Sequence, residues 1–162
     1  MSVGFVLGYL AVWSLIGALL FSAFVVFVFR SGLVYSARRP DGTLKTSIPL
    51  LGLAVMSAFL LSIVAFFVLA NYLGLAGRRA SVGFGGLFFL NLALYLILFA
   101  FDTLLIDGFV LARWRPRFLH LPEQMGRASM REHVRRSIPI GLVAGLLLVG
   151  LSATLSFFLF IR

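Results

Sequence analysis

Two carboxylates, Asp102 and Asp107, lie inside a long apolar segment of this 162-residue chain. A carboxylate within hydrocarbon costs about 3 kcal/mol on insertion scales, so it normally pairs with another group or takes part in an ion or proton pathway. In an α-helix, five residues turn through about 500°, which predicts that these two side chains point roughly 140° apart. The spacing therefore argues against a carboxylate pair on one helix face.

Asp102 shares a helical stripe with Asn91 and Tyr95, which precede it by 11 and 7 residues. We predict that this stripe faces the interior of a helical bundle and that its helix is central. One interpretation makes Asp102 a proton or cation site whose path is extended by Asn91 and Tyr95. The alternative is a structural hydrogen-bond network. Asp107 is shallower, and we expect it to form an ion pair with Arg113, whose long side chain can reach inward from the membrane interface.

Metal and cofactor chemistry is poorly provided for. Cysteine is absent, which excludes disulfides, thiolate ligands and a cysteine nucleophile. His120 and His133 lie near Glu123 and Glu132 at spacings that match no familiar metal site. Because nucleotide-binding and nucleophile motifs are also absent, we predict no cofactor, no metal and no catalytic residue.

Composition indicates that the solvent of this chain is lipid. Hydrophobic residues make up 62% of it and charged residues only 12%, against about 25% charged in soluble domains. Four apolar stretches, at about 5–29, 48–73, 84–112 and 138–161, reach the length of about 20 residues that a spanning helix needs. We predict an all-α integral membrane four-helix bundle in a single domain.

Charge in the links predicts the orientation. The links 30–47 and 113–137 hold eleven of the fourteen Lys and Arg residues. The positive-inside rule places both links in the cytoplasm and both termini outside, as expected for a multi-pass protein of a bacterial cytoplasmic (inner) membrane. Although the net charge is +9, its confinement to the links favours contact with anionic lipid and argues against nucleic acid.

Several local signals refine the second link. Trp114 and Phe118 are predicted interfacial anchors. A short interfacial helix is expected over 122–136, where a stripe of Arg127, Arg131 and Arg135 would contact anionic lipid headgroups. The alternative is a solvated charged loop.

Spans 2 and 4 begin with the same three residues, Ser47-Ile48-Pro49 and Ser137-Ile138-Pro139. In each, Ser is a predicted N-cap and Pro lies in the first turn. A duplicated helical hairpin would explain the shared start, and so would chance similarity between apolar helices. The four-residue spacing of Gly141 and Gly145 predicts close helix packing, within the bundle or against another subunit.

The segment 102–107, with Trp114 to Phe118, Leu121-Pro122, Glu123 and His133 after it, resembles a family of small uncharacterised bacterial four-span membrane proteins. The likeness covers about residues 90–140. It implies that the third span and the following link form a unit, and it implies no activity.

Two functions are compatible with these features. The first is a non-catalytic accessory or scaffold subunit that associates with other membrane subunits or with itself. It is favoured because few polar residues occur in the spans and no catalytic motif is present. The alternative is a small oligomeric proton- or cation-linked transporter or channel that uses Asp102.

Overall fold

The computed structural model describes residues 1–33, 50–78, 81–119, 121 and 127–160, with the side chains of the last range described from residue 135 onward. Helix α1 spans Val3–Arg30, α2 spans Leu50–Gly74 and α3 spans Phe84–Ala100. Helix α3 continues without a break into a π-helix, Phe101–Trp114, which is followed by a 3-10 turn at Arg117–Leu119. The last helix, α4, spans Arg127–Phe160. These described residues contain no strand, so the prediction of an all-α four-helix fold is confirmed.

Four helical segments are long and apolar enough to cross a membrane: Val3–Arg30, Leu50–Gly74, Phe84–Trp114 and Arg135–Phe160. Large apolar side chains are exposed along all four. Helices satisfy their own backbone hydrogen bonds, which hydrocarbon requires, and their exposed leucine and phenylalanine side chains suit contact with lipid tails. The chain is therefore a multi-pass membrane protein.

The order of packing follows from the helix contacts. Helix α3 packs between α1 and α4, and α2 packs against α4. Phe84 at the start of α3 and Phe157 near the end of α4 have ring centroids 6.2 Å apart, so these helices are antiparallel. The rings of Tyr72 and Phe160 lie 4.8 Å apart, which places the C-terminal ends of α2 and α4 side by side. The proposed hairpin duplication stays a prediction.

Glycines on α4 allow α3 to approach closely. A Cβ atom at Gly145 would overlap the ring of Tyr95, and one at Gly141 would lie 2.5 Å from Cε2 of Phe99. The close packing expected from the spacing of these glycines thus occurs within the bundle. Aromatic rings of α3 occupy the space that larger α4 side chains would fill.

Two apolar clusters hold the bundle together. The larger joins all four helices, and its buried members are Tyr9, Phe67, Ala70, Leu75, Val82, Leu87, Leu90, Leu94 and Ala153. The smaller one packs the end of α1 against the π-helix and the 3-10 turn through Phe29, Ile106, Leu111 and Leu119. The π-helix is therefore fixed to the bundle at its far end.

The start of the fourth helix differs from the prediction. Helix α4 begins at Arg127 and runs through Pro139, so the expected helix start at Ser137 is wrong. The residues before Pro139 include arginine, alanine, methionine and glutamate, which favour helix. Proline removes one main-chain donor, and the helix continues across that gap. The predicted interfacial helix is consequently the first part of α4. The corresponding start of span 2 at Ser47 lies outside the described residues.

Candidate functional site

Both intramembrane carboxylates lie on the π-helix, Asp102 in its first turn and Asp107 one turn later. The N–H of Arg115 donates to the C=O of Val110, five residues earlier, at 2.8 Å, which is the π-helical pattern. Most π-helical segments are single-turn bulges and many occur at functional sites. Here the π-helix has 14 residues, so its geometry governs the whole second half of span 3.

The π-helix changes the relation between the two carboxylates. An angle of roughly 140° holds for an α-helix, and that prediction is wrong here because hydrogen bonds from residue i to i+5 place Asp107 about one turn from Asp102 on the same side. The two carboxylates are close enough to interact electrostatically. Span 3 therefore presents two neighbouring acidic groups within the membrane.

Asp102 and Asp107 are each partly exposed at the surface of the chain. Arg113, at the end of the π-helix, is exposed, and its ion pair with Asp107 stays a prediction. The π-helix ends where Arg115 adopts a left-handed conformation, with φ of 49°. This conformation is uncommon for a residue with a side chain. It redirects the chain so that Pro116 and Leu119 are buried against the bundle.

The other two members of the predicted stripe lie within the bundle. Asn91 is 0% exposed, and its amide atoms have no hydrogen-bond partner among the described residues. Tyr95 is half-buried, and its hydroxyl donates to the C=O of Gly141 on α4 at 2.6 Å. The ring of Tyr95 also stacks on Phe99, with centroids 5.7 Å apart. Span 3 therefore directs its uncharged polar groups toward the inside, while the role of Asp102 as a site stays a prediction.

A buried hydrogen-bond relay, the Tyr9–Asn71–Ser156 relay, joins three helices. The hydroxyl of Tyr9 on α1 donates to Oδ1 of Asn71 on α2 at 3.0 Å. Nδ2 of Asn71 donates to Oγ of Ser156 on α4 at 2.9 Å. All three side chains are buried. In hydrocarbon such bonds help to fix the packing of helices, because the unbonded groups would lack polar partners.

The relay did not emerge from the sequence. Asn71 lies near the predicted end of span 2, where polar residues are common, and Tyr9 and Ser156 are ordinary residues of apolar helices. The only signal was an asparagine within an apolar run. Locating its partners requires the packing of three helices that are distant along the chain.

Metal and lipid predictions fall partly outside the described residues. His120 and Glu123 are outside them, as are the side chains of Arg127, Arg131 and His133. In the described part of the chain, no group of three or more His, Cys, Asp or Glu residues could hold a metal ion. Arg135 is exposed. The predicted anchors Trp114 and Phe118 are also exposed, and their rings are in edge contact at 6.4 Å between centroids.

Comparison with models of known protein families, with curated proteins and with solved structures finds no match. What the fold and site define is therefore a class of protein, a four-span helical membrane protein with two carboxylates on a π-helix.

Proposed function

We propose that this chain is a non-catalytic accessory or scaffold subunit of a larger membrane assembly, formed with other membrane subunits or with copies of itself. The proposal is carried by one observation, the partial exposure of Asp102 within span 3. Ionisable side chains inside a membrane almost always face a bundle interior or a water-filled cavity, or pair with another polar group. A second polypeptide that covers the exposed part of Asp102 with a hydrogen-bond donor would meet this requirement.

The engaged state of other polar groups supports a non-catalytic role. Tyr9, Asn71 and Ser156 bond to one another, and Tyr95 bonds to the main chain of α4. A nucleophile requires a base within hydrogen-bond reach. The printed side-chain hydrogen bonds of the described spans show structural pairings, and none joins a nucleophile to a carboxylate or histidine base.

The test is purification of the full-length protein from its native membrane in mild detergent, followed by native mass spectrometry. We expect a species heavier than the 17.8 kDa chain, and we expect Asp102→Leu to release the partner. The matched control is Ser62→Ala, because Ser62 is exposed on α2 and bonds only within its own helix, to the C=O of Ala58 at 2.7 Å. A lone 17.8 kDa species for the unaltered protein would refute the subunit role.

We further propose that the protein lies in a bacterial cytoplasmic membrane with both termini outside and both arginine-rich links in the cytoplasm. Support comes from the eleven basic residues in the two links and from the positive-inside rule. Anionic lipid headgroups are the expected partners of Arg135 and of the arginines near it along the chain, because phosphate attracts interfacial arginine.

Single cysteines test this orientation, since the chain has none of its own. A cysteine at Ser81, an exposed residue between α2 and α3, should react with a membrane-impermeant thiol reagent in intact cells. Cysteines at Ser36 and Ser129, in the two links, should react only after the cells are opened. The reverse labelling pattern would show that the orientation is inverted.

A further inference from the structure

Three buried polar atoms in the middle of the bundle have no hydrogen-bond partner among the described residues: Nδ2 and Oδ1 of Asn91 and Oγ of Ser14. Leaving a buried polar group unsatisfied is costly. The usual remedy inside proteins is a buried water molecule, which makes about three hydrogen bonds to such groups. These atoms therefore indicate a hydrated position between α1 and α3.

The register of the helices shows that the two residues lie close along the bundle axis. A Cβ atom on Gly17 of α1 would lie 2.8 Å from Cδ1 of Leu98 on α3. Because α1 and α3 run in the same direction, Ser14, one turn before Gly17, is level with the turn of α3 that contains Tyr95. Asn91 is one further turn toward the start of α3. One turn is about 5.4 Å, a gap that water can bridge.

The same axis connects the relay at one end with Asp102 at the other. The contact of Phe84 with Phe157 places Ser156 level with the start of α3, roughly 10 Å from Asn91 at 1.5 Å per residue. In the other direction, Tyr95 interacts electrostatically with Asp102. From Phe84 to Asp102 these polar groups extend over roughly 27 Å, close to the hydrocarbon thickness of about 30 Å.

We propose that these groups form an axial polar column that conducts protons across the membrane, from the Tyr9–Asn71–Ser156 relay through water at Asn91 and Ser14 to Asp102. The proposal adds an activity to the subunit role and does not depend on it. Its partner is the hydrated proton, and its titratable member is the carboxylate of Asp102, which is faced by Asp107 and Tyr95.

The transfer needs no co-reactant. A proton from water on one side binds to the carboxylate of Asp102, and a new O–H bond forms as one O–H bond of a hydronium ion breaks. The carboxylic acid then returns the proton to water in the column, which passes it toward the opposite side. Asn91 carries no proton itself. Its amide offers a donor and an acceptor, so it orders the water between the relay and Tyr95.

Proteoliposomes test this column directly. The purified full-length protein is reconstituted with a pH-sensitive dye inside the vesicles, and a pH gradient is imposed while potassium and valinomycin clamp the potential. The unaltered protein should dissipate the gradient faster than protein-free vesicles. Asn91→Leu and Asp102→Asn should each abolish the protein-dependent component, and the Ser62→Ala control should retain it.

A polar replacement separates conduction from misfolding. Asn91→Ser keeps a hydroxyl for water, so it should retain part of the flux that Asn91→Leu loses, while both variants elute as monodisperse protein. Flux of the unaltered protein equal to that of Asp102→Asn, or equal loss of flux in the leucine and serine variants, overturns the column. Because flux is measured on the purified chain, either outcome leaves the partner-association result unchanged.

Discussion

Replacing Asn71 by leucine is expected to lower the free energy of unfolding by about 1–3 kcal/mol, because one amide bridges α1, α2 and α4. Hydrogen bonds between transmembrane helices average about 0.6 kcal/mol and reach about 1.7 kcal/mol. The leucine variant loses two of them and leaves the hydroxyls of Tyr9 and Ser156 without the partner that the structure shows. Reversible unfolding in mixed detergent and lipid micelles measures the change.

Asn91→Leu is the matched control, because both asparagines are buried, at 2% and 0% exposed. Asn91 has no hydrogen-bond partner among the described residues, so its replacement strands no protein group. We expect its free energy of unfolding to stay the same or to rise. An equal loss of stability at both positions would show that the relay has no special role.

Single deletions at the ends of the relay divide the effect. Tyr9→Phe and Ser156→Ala each remove one of its two hydrogen bonds, so each should cost less than Asn71→Leu. In a double-mutant cycle, Tyr9→Phe combined with Asn71→Leu should cost less than the two single changes added together. Strict additivity of the two would contradict a bond between Tyr9 and Asn71.

Hydrophobicity accounts for the part of the fold that could be predicted. Charges are nearly absent from four stretches long enough to span a bilayer, and this alone predicted an all-α membrane protein. The four-residue spacing of Gly141 and Gly145 likewise indicated a close helix approach. Neither signal depends on which residues meet across the bundle.

The π-helix and the relay could not be predicted in the same way. Hydropathy is the same for α- and π-helical segments, so nothing in Phe101–Trp114 distinguished i+5 from i+4 hydrogen bonding. The angle between Asp102 and Asp107 was wrong for that reason. The start of α4 was misplaced because Ser-Ile-Pro is a frequent helix start, whereas here helix-favouring residues precede it and the helix passes through Pro139.

The π-helix also sharpens what the two carboxylates are expected to do. They lie about one turn apart on one side, and like charges at such spacing repel, more strongly where water is scarce. Neutralising either carboxylate removes this repulsion. The two variants differ in what they leave behind, because Asp107 is the carboxylate that an interfacial arginine can reach.

Asp107→Asn is therefore expected to lower the free energy of unfolding in detergent, by up to about 3 kcal/mol, since loss of one partner of a buried ion pair leaves the other uncompensated. The partial exposure of Asp107 places the effect below that of a fully buried pair. Thermal unfolding and folded yield measure it. Arg113→Gln should cause a similar loss, and the double variant should lose little more, if Arg113 is the partner.

Asp102→Asn, by contrast, keeps the size and hydrogen bonding of the side chain while removing one of two repelling charges, so its melting temperature should match that of the unaltered protein. If Asp102 binds a proton during function, this variant folds normally and loses the proton-dependent activity. The reverse pattern, with Asp102→Asn collapsing the protein and Asp107→Asn silent, would make Asp102 the structural anchor. In that case the buried end of the π-helix, where it joins α3, would depend on the carboxylate for its packing, and Asp107 would become the candidate for proton binding.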